Sequence, residues 1–533
     1  MFRSIFSLML VLAAPVAAQP VRDAAIATSS GTSRLIVRLG DSGPETVQAM
    51  RAAGKTPAIY LPNGRVLNFV RRFQDDGMIM RLPDNVSLEE AYRIADEVSR
   101  APGVASAVPD KRIYPALIPN DPQYYLQWHL DEPAAGIRMP AAWDLQTGSS
   151  GITIALLDTG IISHSDLLPA RVLSGYDFIS DVATANDGDG RDPDATDPGD
   201  ATLLDECGPG VSETDSSWHG LAVGGVMIAQ SDNLFRITGI DFAAQLLPVR
   251  VLGKCGGFIS DIIDAMRWSV GLPVAGLPDN PHPARVINLS LSGAGICSTE
   301  EQRAIDDVVA MGAVVIAAAG NDATDVATRS PANCRKVIAV GAVDRAGKLA
   351  SYSNTGSEVD LSAPGGDGND GVLTLFNTGV TGKGDDTLAY IQGTSFTAAQ
   401  VSAVASLMLA TDQSLSPATL EELLRRSARA FPDSSCTACT CGRGILDAHA
   451  SLVAAAAPAA ALAGEDEIPD CAGDTSVEVG NDIGSNDESA KDGGGGGGGG
   501  CALQSDGAFD PLMYMLLLMT FIGRRIRSGI CRY

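Results

Sequence analysis

The sequence is poor in basic side chains: 38 Lys and Arg stand against 64 Asp and Glu, for a formal charge of −26. No basic face is visible that would neutralise phosphates, so nucleic acid is not an expected partner. The acid excess is concentrated. Eleven acids and one Arg fall in Asp181–Asp215, and ten acids and one Lys in Gly464–Asp492, so the rest of the chain is only mildly acidic. Long hydrophobic runs are also missing. The opening "MFRSIFSLMLVLAAPVAAQP" carries a short apolar core, Ile5 to Ala14, behind Arg3, and ends in Val16-Ala17-Ala18. It is too short for a membrane span and reads as a secretory signal peptide over residues 1–18. Near the other end, "PLMYMLLLMTFI" falls short of the roughly 20 residues of an unaided span. Histidine is scarce, at five, so few side chains are available as an imidazole base. Export implies an oxidising compartment, which makes the ten cysteines disulfide candidates.

What is present falls into zones. "RLIVRLG", "RVLNFVRRF", "GMIMRLP" and "GVASAVPDKRIYP" read as strands, with helices expected at Pro44–Ala53 and in "SLEEAYRIADEVSR". In the latter, Ser87 and Glu90 have the spacing of a capping box. Residues 19–117 therefore form a small α+β unit, closed by a Pro-marked linker. From Gly151, short apolar runs recur: "ITIALLD", "QLLPVRVL", "RVINLSLS", "AVVIAAAGN" and "KVIAVGAV". Helix-like stretches such as Ser260–Val270 and Thr299–Met311 separate several of them. That alternation predicts an α/β domain over 118–455, with a mostly parallel sheet and helices on both faces. Residues 456–500 are acidic and end in eight glycines, a linker without the apolar content to fold. Residues 501–533 form a separate tail.

Chemistry in a parallel sheet collects at the carboxyl ends of strands. Asp158 ends "ITIALLD", and Asn321 follows "AVVIAAAG". His219 opens the apolar run "HGLAVGGVMIA", with Ser216 and Ser217 as caps before it. Ser395, in "GTSFTAAQVSAVASLML", opens a helix that reads as buried on most faces. Each residue alone has an ordinary explanation: a helix cap for Ser395, a turn for Asp158 and Asn321, a surface position for His219. Their order is more informative than any one of them. Acyl transfer to a Ser needs a base, an acid that orients the base, and donors for an oxyanion.

These motifs resemble those of the subtilisin-like serine proteases, the subtilases. "IALLDTGI" resembles the family's Asp motif, "HGLAVGG" its His motif and "GTSFTAAQVSAV" its Ser motif. "VINLSLSG" resembles its substrate-binding strand, and "SYSNTGSEVDLSAPG" a further family stretch. The resemblance spans about Asn120 to Ala454. It implies a secreted serine endopeptidase with Ser395 as nucleophile, His219 as general base and Asp158 as orienting acid. Asn321 and the Ser395 main-chain N–H would hold the oxyanion. The sequence departs from the family pattern at Leu221 and from Phe396 to Gln400, without removing a triad atom.

The resemblance implies more. A protein or peptide substrate would lie along Ser290, Leu291, Ser292 and Gly293. Those residues and Ala317–Gly320, including Ala318 and Gly320, would wall a first pocket suited to an apolar side chain. Residues 19–117 would be a propeptide that inhibits the enzyme until it is cut. Cysteines would pair as Cys207–Cys255 and Cys297–Cys334, with Cys436, Cys439, Cys441 and Cys471 unassigned. The loop "NDGDGRDPDATDPGD" offers many hard oxygen ligands on flexible backbone. With the family's habit of binding Ca²⁺, this points to a structural ion held by Asp187, Asp189, Asp192 and Asp197. A solvated acidic loop is the simpler alternative. Cys501, the apolar stretch after it and "RRIR" resemble bacterial Gly-Cys sorting tails, which implies a membrane contact and a sorting protease at the cell surface. Two rival functions fail on the sequence. "LLDTG" resembles an aspartic-protease signature, but no second carboxylate motif accompanies it. A binding-only pseudoprotease would lack a triad residue, and all three are present.

Overall fold

The computed structural model describes residues 31–40, 58–61, 64–73, 77–101, 103–111 and 117–463. The expected helix at 44–53, the signal peptide, the tail and residues 464–500 of the acidic linker lie outside the described residues; the linker's first residues instead continue the fold, with a short helix at Pro458–Ala461. Two compact units divide near Ile118–Pro119, with Trp143–Gln146 counted in the first.

The first unit is a five-stranded sheet built from β1 (Gly31–Leu39), β2 (Ala58–Tyr60), β3 (Val66–Phe73), β4 (Gly77–Ser87) and β5 (Val104–Pro109). Their order is β2-β3-β4-β1-β5, and the pairings are antiparallel. Helix α1 (Leu88–Ser99) buries Ile94, Ala95 and Val98 against Leu35, Val37, Leu67, Met78 and Met80. Its cap is half of the box expected from sequence. Ser87 accepts from the Glu90 N–H, but the Glu90 carboxylate turns away to Arg65 and Arg93. Two guanidinium partners outcompete one main-chain N–H for a carboxylate. A complete box sits instead at Ser298 and Glu301 in the second unit.

The second unit centres on a seven-stranded sheet. Its strands are β6 (Thr153–Asp158), β7 (Tyr176–Asp177), β8 (Gln245–Arg250), β9 (Val286–Leu289), β11 (Val314–Ala318), β13 (Val337–Val343) and β14 (Leu361–Pro364). Between them lie the short pair β10 (Gly293–Ala294) and β12 (Arg329–Ser330), and a hairpin of β15 (Val372–Asn377) and β16 (Asp386–Ile391) follows. The main order is β14-β13-β11-β9-β6-β8-β7, and every pairing in it is parallel. The five apolar runs each form one of these strands. β7, with two residues, and β14, which does not sit in a long apolar run, do not stand out in sequence.

Helices cover both faces, as parallel pairing requires. On one face α3 (Ile259–Ser269) and α4 (Thr299–Ala310) pack onto Leu157, Val249, Ile287 and Val315. On the other lie α2 (His219–Ile228), α5 (Thr394–Thr411), α6 (Pro417–Ser427) and α7 (Ala448–Ala456). α5 is buried from Thr394 to Leu409 and has almost no polar face. It runs through the core because Ala and Ser side chains let α2 and five strands approach it closely. The order reverses at β6: the chain leaves β6 for β7 and β8 on one side, then crosses to β9 on the other. A crevice at the strand ends is expected at such a point.

Candidate active site

Asp158 closes β6 at this crevice and is fully buried. Its Oδ1 accepts from the Thr159 N–H at 2.8 Å and lies 2.7 Å from His219 Nδ1. An ionised carboxylate can only accept, so Nδ1 carries the proton and Nε2 keeps its lone pair. His219 is the first residue of α2 and about a quarter exposed. Burial pushes its pKa down, but Asp158, by charge and by hydrogen bond, pushes harder, with help from Asp200 and Asp197. The net direction is upward from 6.5.

The next residue explains why the His motif contains Gly. A Cβ on Gly220 would stand 2.0 Å from the Gly160 carbonyl oxygen, so only Gly lets α2 begin against the loop after β6. The cap differs from expectation. Trp218 holds the N-cap position with φ of 47° and supplies no capping bond, its indole N–H donating instead to the Gly379 carbonyl. Ser217 Oγ accepts from the His219 N–H at 3.3 Å, while Ser216 bonds to Ala201 and Thr381.

Ser395 is the second residue of α5, after an N-cap at Gly393. Its N–H is therefore among those with no acceptor inside the helix. It exchanges bonds with Ser290: Ser395 Oγ donates to the Ser290 carbonyl at 3.2 Å, and Ser290 Oγ donates to the Ser395 carbonyl at 2.7 Å. α5 packs against α2, and the ring of Phe396 lies 6.1 Å from the His219 ring, centroid to centroid. Phe396 is buried and flanks the imidazole, while Gln400 ties α5 to the Pro364 carbonyl. These two departures from the family motif are accommodated within the core.

Asn321 is exposed, and its Oδ1 accepts from both the N–H and the hydroxyl of Thr394, at 2.9 and 2.8 Å. That leaves its Nδ2 as the free donor beside the start of α5. Asn354, buried beneath, donates to the Ala319 carbonyl and accepts from the Asp322 and Thr324 N–H groups. Gly320 sits against Ser292, where a Cβ would fall 2.8 Å from Ser292 Oγ. The two expected pocket walls therefore meet. Ala318 is buried, Leu291 half-buried, and Ser292 and Gly293 exposed. Sequence reasoning missed Thr394, Asn354 and Thr159, since Thr and Asn are common in turns and carry no local signal.

Matches to known proteins agree with this geometry. The Peptidase_S8 model, described as the subtilase family, matches residues 149–460. The chain belongs to the subtilase family. It is a serine endopeptidase. It is 41% identical to an extracellular protease of Xanthomonas campestris pv. campestris, over 84% of this chain and 77% of that one. To an extracellular basic protease of Dichelobacter nodosus it is 36% identical, over 79% and 70%. Among solved structures it resembles a protease from Pseudoalteromonas arctica, with 46% identity and a TM-score of 0.61, covering 63% of this chain and 99% of that one.

Subtilases commonly bind structural calcium, but the residues expected to hold it here do not fit a shared ion. Asp187 pairs with Arg250 at 2.7 Å, Asp197 accepts from Thr159 and Gly199, and Asp192 Oδ1 accepts from the Asp194 N–H. Asp189 is exposed. Among the described residues no group of three His, Cys, Asp or Glu side chains is placed to hold a metal. Asp187 is drawn to the buried Arg250, which also bonds Asp177, while Asp192 and Asp197 are held by neighbouring N–H and hydroxyl groups. Cys207–Cys255 and Cys297–Cys334 are disulfides, as the resemblance implied, and Cys436–Cys441 is a third. Cys439 is disulfide-bonded too.

Proposed function

We propose that Ser395, His219 and Asp158 act as one unit that hydrolyses peptide bonds through an acyl-enzyme. The observation that carries this is the 2.7 Å bond from His219 to the buried Asp158, made beside the helix start that holds Ser395. It fixes the tautomer with Nε2 free to accept a proton. The Ser395 hydroxyl turns from the Ser290 carbonyl to Nε2, and Oγ attacks the substrate carbonyl carbon as Nε2 takes its proton. The carbonyl electrons move onto oxygen, where the Ser395 N–H and Asn321 Nδ2 donate to them. The intermediate collapses, the C–N bond breaks, and the imidazolium gives its proton to the leaving amine. Water then repeats the sequence to release the acid and restore Ser395.

Substrate main chain lies along Ser290, Leu291, Ser292 and Gly293. The small, uncharged walls formed with Ala318 and Gly320 suit an apolar side chain. The signal-like N-terminus and the names of the Xanthomonas and Dichelobacter relatives support secretion. Residues 19–117 serve as a propeptide and inhibitor, and residues 501–533 as a sorting or membrane tail. The deciding experiment is labelling with a serine-directed fluorophosphonate after propeptide removal. Wild type should label and cleave peptides, and Ser395→Ala should do neither. Labelling that survives Ser395→Ala overturns the assignment.

A further inference from the structure

The acidic insert between β7 and α2 holds no metal group, yet two of its carboxylates reach the helix that carries His219. The first N–H groups of any helix lack internal acceptors. Here the cap residue Trp218 offers none. Two hydroxyls take the role. The His219 N–H donates to Ser217 Oγ at 3.3 Å, and the Gly220 N–H donates to Thr159 Oγ1 at 3.0 Å. Each hydroxyl then donates its single proton to a carboxylate: Ser217 to Asp200 Oδ2 at 2.6 Å, and Thr159 to Asp197 Oδ2 at 2.7 Å. Asp200 Oδ1 also accepts from the Ser217 N–H at 2.6 Å, and Asp197 Oδ1 from the Gly199 N–H at 2.8 Å. Both carboxylates are thus held from two sides.

We infer that Asp200 and Asp197 are positioning residues for the catalytic base, acting through Ser217 and Thr159 on the first two main-chain N–H groups of α2. The inference rests on His219 being that base. Two physical effects follow. The relays fix where α2 begins, and so where the imidazole stands against Asp158. They also supply negative charge at a helix N-terminus, whose dipole otherwise disfavours a cation. The imidazolium that forms during acyl transfer sits at that end. The charged groups acting on it are Asp158 from β6 and Asp197 and Asp200 from the insert; Phe396 of α5 presents only an uncharged ring.

The test is the pH dependence of kcat and kcat/KM for Asp200→Asn, Asp200→Ala and Ser217→Ala. Active sites are counted with fluorophosphonate, and folding is checked by thermal melts. Asp200→Asn keeps the outline but removes the charge. Its acid limb should move to lower pH, and the displacement should shrink in high salt. Asp200→Ala and Ser217→Ala should lower kcat by about tenfold with KM little changed. A merely structural role would move the melting temperature and the number of active sites, not the limb. Folded variants with the wild-type limb and kcat overturn the inference. Should Asp200→Ala fail to fold, the limb of Asp200→Asn still decides. Full activity in His219→Ala is a different result and overturns the base itself.

Discussion

At the scale of single residues, the site depends on one proton held on the correct nitrogen. Asp158→Asn would present an amide to Nδ1 and let the imidazole take the wrong tautomer. We expect kcat to fall by roughly 10⁴-fold with the fold intact, measured by peptide hydrolysis beside circular dichroism. The charge of Asp158 also sets the pH range. Because the folded pKa of His219 lies above 6.5 and the base must be neutral, activity should be lost as pH falls through that raised value. A kcat/KM profile whose acid limb lies below 6 would contradict this. Asp158, His219, Ser395 and Asn321 drew attention in the sequence because Asp158 and Asn321 close apolar runs while His219 and Ser395 open them, in a fixed order. Asp200 and Thr159 were not. Their roles depend on hydroxyl relays between segments far apart in the chain, and nothing in local composition marks them.

At the scale of elements, sequence periodicity located the five long strands and the helices between them. It missed β7 and β14 in the main sheet, and the hairpin of β15 and β16 beside it, whose places are set by their partners rather than by a long apolar run. It also read the acidic insert as a metal loop. Counting carboxylates cannot show that Arg250 on β8 draws Asp187 away and that Thr159 holds Asp197. Accordingly, Asp189→Ala should change stability by no more than about 0.5 kcal/mol, with or without chelator, in a thermal melt. The start of β14 offers a sharper case. Burial, and the Glu421 charge from α6, push Asp360 up to about 7, despite bonds from the Ala339 N–H and the nearby Arg425. The folded state thus binds a proton that the unfolded chain releases near 4, so this group's contribution falls as pH rises from about 4 to 7. Asp360→Asn can still accept from Ala339. It should stabilise the protein by about 1–2 kcal/mol at pH 8 and have little effect at pH 4, in paired denaturation curves.

At the scale of the whole molecule, the second unit is a parallel sheet buried on both faces and closed by disulfides at its loops. Cys297–Cys334 spans 37 residues between the segment after β10 and the loop before β13. Replacing both cysteines by Ala should cost about 3–4 kcal/mol and lower the melting temperature without changing KM. An unchanged melting temperature would mean that the bond constrains nothing the core does not already hold.

The position of α5 in the chain has a consequence for how the protein is made. Every strand of the main sheet, His219 and Asp158 precede Gly393, and Ser395, the proposed nucleophile, comes only with the helix after it. During synthesis or export, the segments carrying Asp158 and His219 emerge before the proposed nucleophile, and the sheet lacks its central helix until α5 follows. A fragment that ends before Gly393 lacks both the proposed nucleophile and the helix that covers this face of the sheet. The danger a protease poses to the cell that makes it is deferred to the late part of the chain, by the order in which the fold uses its sequence.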